Sequence, residues 1–295
     1  MELTGLHLLL TYQCTFECQH CFVWGSPRQT GVLNLTQLHE ILQQAREVES
    51  LDWIYFEGGE PFLYYPILMR GVQMATAMGF HVGIVSNAYW ATTAADALIW
   101  LKPFADLIED LSISSDLYHY SQDHQVQNAV TAAQQLGIPI GLISVAQPET
   151  ENAVSPHGQI SVGESGVMYR GRAAIALVSR TMLRAWDAFT ICPHEDLRDP
   201  GRCHLDPFGN LHICQGISLG NVFESSIKEI HANYYAEAHP ICGPLLVGGP
   251  AALVREYDLP QTGCYADACH LCYSSRQALR KRFPAILTPD QMYGV

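Results

Sequence analysis

Apolar runs of strand length alternate with stretches of helical period along the first part of the chain, and nothing else in the sequence narrows the fold so far. The strand-like runs are residues 5–10, 52–56, 81–85, 110–113, 138–145 and 159–162, and residues 36–50, 66–78, 93–102 and 123–136 read as helices between them. Gly79 and Gly137 stand where a helix end favours a left-handed residue. This pattern predicts a parallel α/β domain. At 295 residues the chain exceeds a single ordinary core, so one large domain with a smaller appendage is expected. After about residue 190 the alternation stops and cysteine becomes denser, which sets the expected boundary between residues 1–190 and 191–295.

The unusual residues follow the strands. Cys14, Cys18 and Cys21 come after the first strand, Gly58-Gly59-Glu60-Pro61 after the second, Ser86-Asn87 after the third and Ser114-Ser115-Asp116 after the fourth. In a barrel-like α/β fold those loops share one rim, the face where such barrels carry their chemistry. Four separate segments are therefore expected to meet at one site.

The chain has ten cysteines, and no charged, apolar and cleavable leader of a secreted protein stands at its start. A cytoplasmic home follows, where disulfides do not persist and clustered thiols point to metal or redox chemistry. A net charge of −13 with only 16 Lys and Arg argues against nucleic acid or an anionic membrane as the main partner. No apolar run reaches the length of a membrane span. The basic group Arg276, Arg280, Lys281 and Arg282 reads as a solvated helix face or last-turn charges.

Three thiols inside eight residues suit a soft metal centre, and cysteine is the usual ligand of iron-sulfur clusters. No fourth Cys lies nearby, so a [4Fe-4S] cluster held here would keep one iron open. A closed zinc site would need His20 as fourth ligand, which its position beside Cys21 strains. The spacing Cys-x3-Cys-x2-Cys resembles the signature of the radical S-adenosylmethionine (radical SAM) superfamily, with His20 in the place of that signature's aromatic residue. Gly58-Gly59-Glu60-Pro61 is similar to the same family's motif for the SAM amino group, although such a turn also serves as plain punctuation after a strand. The resemblance implies a partial (β/α)6 TIM-like barrel in which Cys14, Cys18 and Cys21 hold a [4Fe-4S] cluster and SAM chelates the open iron. Glu60 would face the SAM ammonium, and Ser86, Asn87, Ser114 and Asp116 are candidates for its carboxylate and ribose, with helix capping the alternative role for the serines and Asp116. Residues 169–173, Tyr-Arg-Gly-Arg-Ala, resemble a segment frequent near the sixth strand of family members.

Residues 203–214 read as two short strands around a Pro-Phe-Gly-Asn turn, which is expected to bring Cys203 and Cys214 side by side. Cys264, Cys269 and Cys272 follow later. This arrangement resembles the SPASM and twitch extensions of radical SAM enzymes, with Gly209 and Cys214 matching their Gly-x4-Cys element. The upstream partner is open, because Cys203 lies closer to that glycine than the family gap and Cys192 slightly farther. The resemblance implies a small cysteine-rich auxiliary domain with a second [4Fe-4S] cluster. Cys203, Cys214, Cys269 and Cys272 are the expected ligands, Cys192 and Cys264 the substitutes, and a four-cysteine zinc site the competing reading. Cys242 is expected to be an inert core thiol, with hydrogen-atom donation the alternative for it and for Cys192.

The chemistry implied by the resemblance is reductive cleavage of SAM to a 5′-deoxyadenosyl radical, which takes a hydrogen atom from the substrate. An auxiliary cluster could accept the remaining electron, so oxidative modification of a peptide is expected, with dehydrogenation or rearrangement of a sugar-like small molecule the alternative. A low-potential donor such as flavodoxin or ferredoxin would supply the electron. Only 13 residues precede Cys14, too few for the leader-binding module of many peptide-modifying relatives. A non-catalytic iron-sulfur carrier or a zinc-stabilised interaction protein is the reading of another class, and both leave the glycine-rich rim without a purpose.

Overall fold

The computed structural model describes residues 2–119, 123–149, 164–260 and 263–295. Five parallel strands follow the expected alternation: β1 (Leu3–Thr11), β2 (Trp53–Gly58), β3 (His81–Ser86), β4 (Asp110–Ser114) and β5 (Ile140–Val145). The helices between them are α1 (Leu35–Arg46), α2 (Tyr65–Ala77), α3 (Ala94–Leu101) and α4 (Asp123–Gln135). The expected sixth strand at 159–162 lies outside the described residues, and β6 (Glu164–Ser165) extends the sheet beside β5.

Local chemistry explains the starts of the helices. Asn34 and Gln37 form a reciprocal capping box at α1, and the Thr93 side chain accepts from the Asp96 N–H at α3, each cap contributing about 1 kcal/mol. Leu38, Ile41, Leu42 and Ala45 make one apolar stripe of α1, which packs on the leucines and isoleucines of β1 to β4 in the main core.

Beyond β6 come the short α5 (Ala173–Ala176) and β7 (Arg184–Ala185), and then β8 (Gly201–Leu205), β9 (Asn210–Cys214) and β10 (Ile217–Asn221). β8 lies parallel to β1, and β9 and β10 follow it antiparallel, so the sheet runs β10-β9-β8-β1-β2-β3-β4-β5-β6 among the described residues. The expected hairpin thus exists, and the strand at its open edge grows on the free side of β1. The chain ends with α6 (Ile227–Asn233), α7 (Cys242–Glu256), β11 (Cys264–Tyr265), which pairs with β7, and α8 (Ala268–Leu279). α7 is kinked at Gly248 and Gly249. A Cβ on Gly249 would stand 2.3 Å from the Ile191 nitrogen, and its φ of +61° is also one that L-residues avoid. This contact lets the kink press against the backbone just ahead of Cys192. Ile213, Ile217, Leu245, Leu253 and Tyr273 gather there in a second apolar core.

No helix among the described residues is long and apolar enough to cross a membrane. The architecture is α/β with a mostly parallel, unclosed sheet.

Candidate functional site

The loops after β1 to β4 do converge. Cys14, Cys18 and Cys21 line one cavity with Gly58, Gly59, Ser86, Asn87 and Ser114. The reason lies in how the two leading motifs are tied together. The Gly59 N–H donates to the Thr11 carbonyl at 2.7 Å and the Glu60 N–H to the Gln13 carbonyl at 2.8 Å, which carries the β1–β2 pairing up to the first cysteine. A Cβ on Gly59 would fall 2.1 Å from the Gln13 oxygen, so no larger residue lets the strands approach this closely.

Donors point at the thiols. The Cys14 sulfur accepts from the Phe16 N–H at 3.4 Å and from Asn87 Nδ2 at 3.6 Å, and the Cys21 sulfur accepts from the Gly25 N–H at 3.2 Å. Burial, followed by the charge of Glu60, pushes the Cys14 thiol up to about 12, and burial raises Cys18 further still. As bare thiols they stay protonated near neutrality, so ionising them takes a bound cation. The donor set therefore fits a metal centre: soft ligands, inward N–H groups and a loop with little freedom. Arg172 supplies much of that rigidity, donating to the Cys18 carbonyl at 2.6 Å and the Gly25 carbonyl at 2.8 Å while its guanidinium lies over Trp24.

Glu60, Pro61 and Asp116 are not among the residues that line this cavity. Glu60 is fully buried, and its carboxylate accepts from the Ser86 hydroxyl, the Phe62 N–H and the Asn87 N–H. It ties β2 to β3 beside Cys14, and burial pushes it up to about 7 despite those donors. Pro61 begins the buried turn that follows. The Asp116 carboxylate accepts from the Tyr118 and Val145 N–H groups and meets His119 at 2.8 Å and His20 at 3.7 Å. His20 stacks on Tyr118, and burial lowers it to about 4, so its ring is neutral near pH 7.

A second cavity is lined by Cys192, Cys214, Cys269 and Cys272 together with Arg170, Glu195 and Arg276. The sequence-based grouping is corrected at two cysteines. Cys203 is fully buried in the main core and Cys264 is exposed on β11, and neither lines the cavity. The register His204↔His212 and Leu205↔Leu211 puts Cys203 in phase with Leu205 on the helix-packed face, and Cys214 in phase with His212 on the other. The hairpin separates these thiols instead of pairing them, and Cys192 stands where Cys203 was expected. Cys242 is buried in the second core, its thiol against the Tyr234 hydroxyl.

Arg276 corrects another expectation, since it is 1% exposed and belongs to no solvated face. Its guanidinium donates to the Gln215 carbonyl, lies over Tyr273 and Tyr293, and has no carboxylate partner among the described residues. Arg170 also lies buried, donating to Glu195 at 3.2 Å and to the Cys214 sulfur at 3.3 Å. It lines both cavities.

Residues 8–154 match the radical SAM superfamily model. The chain carries a radical SAM domain. The putative peptide biosynthesis protein YydG of Bacillus subtilis is 21% identical over 252 residues, 84% of this chain and 72% of that protein. The S-adenosylmethionine-dependent nucleotide dehydratase of a Fibrobacter species is 23% identical over 124 residues, 40% of this chain and 35% of that protein. Among solved structures, anSMEcpe with bound AdoMet and Cp18Cys peptide superposes with a TM-score of 0.51 at 13% identity, covering 96% of this chain and 97% of that one. BtrN in complex with AdoMet and 2-DOIA gives 0.50 at 14% identity, covering 78% and 82%. These two likenesses are of fold.

The radical SAM family implies a [4Fe-4S] cluster and SAM, and the first cavity's cysteines and glycine-rich backbone are suited to hold them. What sequence reasoning missed is the setting of the second cavity. Arg170 stood out only as part of the 169–173 segment and Arg276 only as part of a basic group read as solvated, and the burial of both depends on packing between segments far apart in the chain.

Proposed function

We propose that this radical SAM enzyme carries a second, auxiliary [4Fe-4S] cluster on Cys192, Cys214, Cys269 and Cys272 and uses it in the oxidative modification of a peptide. The observation that carries this reading is the buried Arg276 guanidinium, which shares its cavity with four thiols and pairs with no carboxylate among the described residues. An uncompensated buried cation costs several kcal/mol, and a thiolate-bound cluster supplies the missing negative charge. Sulfur spacing favours a cluster over a four-cysteine zinc site. A single zinc ion would hold four sulfurs about 3.8 Å apart, yet no three cysteine sulfurs among the described residues lie within 4.8 Å of one another.

In this reading residues 1–190 form the radical SAM unit and residues 191–295 the auxiliary unit. Cys14, Cys18 and Cys21 would hold the first cluster, and with SAM bound the first cavity would supply the radical chemistry for hydrogen abstraction. The protein's own residues orient and shield. The Cys14–Gly25 loop is clamped by Arg172, Asn87 and Gly25 donate to its sulfurs, and Arg170 stands between the cavities as a fixed positive charge. A peptide substrate is supported by the similarity to YydG along most of the chain. Ten free thiols support a cytoplasmic setting, where flavodoxin or ferredoxin would provide electrons.

Anaerobic reconstitution of wild type beside a Cys14→Ala, Cys18→Ala, Cys21→Ala triple variant tests the assignment. The variant is expected to keep about half the iron, on the second site, and to release no 5′-deoxyadenosine with dithionite and SAM. Retained turnover refutes the first site. Loss of all iron refutes the second. Substrate-stimulated 5′-deoxyadenosine release with peptide extracts, compared with sugar-like alcohols, separates the two substrate classes.

A further inference from the structure

Three adjacent strands place His7 (β1), Glu57 (β2) and His204 (β8) together beneath the first cavity, a group to which the proposed chemistry assigns nothing. His7 pairs with His204 across the β1–β8 register, and Glu57 sits opposite Leu9 on the other side. Glu57 Oε1 lies 3.5 Å from His7 Nδ1 and 3.1 Å from His204 Nε2, and all three atoms fall within 4.8 Å of one another. A cation bound about 2.1 Å from nitrogen and oxygen donors sets neighbouring ligand atoms about 3.0 to 3.4 Å apart, close to this spacing.

The hydrogen bonding points the same way. His7 Nδ1 and His204 Nε2 both face Glu57 Oε1 as ion-pair contacts, and His7 Nδ1 and Glu57 Oε1 are buried with no well-aligned hydrogen bond between these groups. One ion held between them would satisfy both atoms. The rings are already held in place, His7 stacked on Tyr55 at 4.7 Å and His204 against the edge of Phe22 at 5.6 Å.

We propose that His7, Glu57 and His204 bind a borderline divalent transition ion. Two imidazoles and a carboxylate suit such ions and leave coordination positions open. Glu57 also lines the first cavity, so the ion's remaining ligand is an oxygen or nitrogen donor of the molecule bound there.

The test is zinc titration of the cluster-reconstituted protein, with X-ray absorption at the zinc edge. One zinc per chain is expected, with a shell of nitrogen and oxygen at about 2.0–2.1 Å. Glu57→Gln and His204→Asn should each weaken zinc binding about tenfold or more while iron content stays at the wild-type level. No zinc uptake, a sulfur shell at about 2.3 Å, or undiminished binding in folded variants overturns the proposal. The wild-type spectrum decides the matter even if both variants fail to fold.

Discussion

Replacing Arg172 by alanine removes two hydrogen bonds from a buried guanidinium, to the carbonyls of Cys18 and Gly25 at 2.6 and 2.8 Å, and a contact with the Trp24 ring at 5.4 Å. Each bond from a charged donor is worth about 1.5–3 kcal/mol, and the ring contact about 1 kcal/mol. Water entering the vacated space restores part of this, so a net loss of about 3 kcal/mol is expected. The backbone bond from the Arg172 N–H to the Cys21 carbonyl survives the substitution, which confines the damage to the cysteine loop. With a urea dependence of about 3 kcal/mol per molar, the unfolding midpoint should fall by about 1 M. The assay is urea denaturation followed by far-UV circular dichroism, with iron measured after anaerobic reconstitution. The loosened loop should also retain less iron. A midpoint shift below about 0.3 M with full iron content would show that the clamp does not stabilise the loop.

Buried Glu60 makes stability depend on pH. Its carboxyl titrates at about 7 in the fold against 4.5 as the ordinary value, so the folded protein holds this proton more tightly than the unfolded chain does. The contribution is therefore favourable at low pH and is lost as pH rises from about 4.5 through 7, by on the order of 3 kcal/mol. Glu60→Gln should lack that slope in cluster-free protein, and identical slopes in urea titrations from pH 5 to 8 would contradict the burial argument. At the second site, Cys192→Ala should lose about half the iron and Cys203→Ala essentially none. The reverse result would reinstate the hairpin pairing expected from sequence.

Period and punctuation made the strands and helices of the first half legible. Leu38, Ile41, Leu42 and Ala45 declare a helix face, and the runs ending at Phe56 and Ile113 declare buried strands. The meeting of Cys14 with Gly59 was equally readable, because parallel α/β connectivity puts strand ends on one rim. Three features were hidden, each for a reason of geometry. The face taken by Cys203 depends on a one-residue phase in the β8–β9 register. Arg276 looks like a surface charge until α8 is packed against the second core. The cluster of His7, Glu57 and His204 needs β8 to join β1, a pairing between residues nearly 200 positions apart that local pattern does not encode.

That same pairing has a consequence for biosynthesis. β1 finds β2 soon after both leave the ribosome, but its other edge stays bare until β8 has been made. At about 5–20 residues per second the wait is roughly 10–40 s, with a leucine-rich strand exposed for all of it. A nascent chain of this kind is open to wrong partners for longest at its first strand, which makes slowed translation or early chaperone capture a matter of yield in the test tube and in the cell.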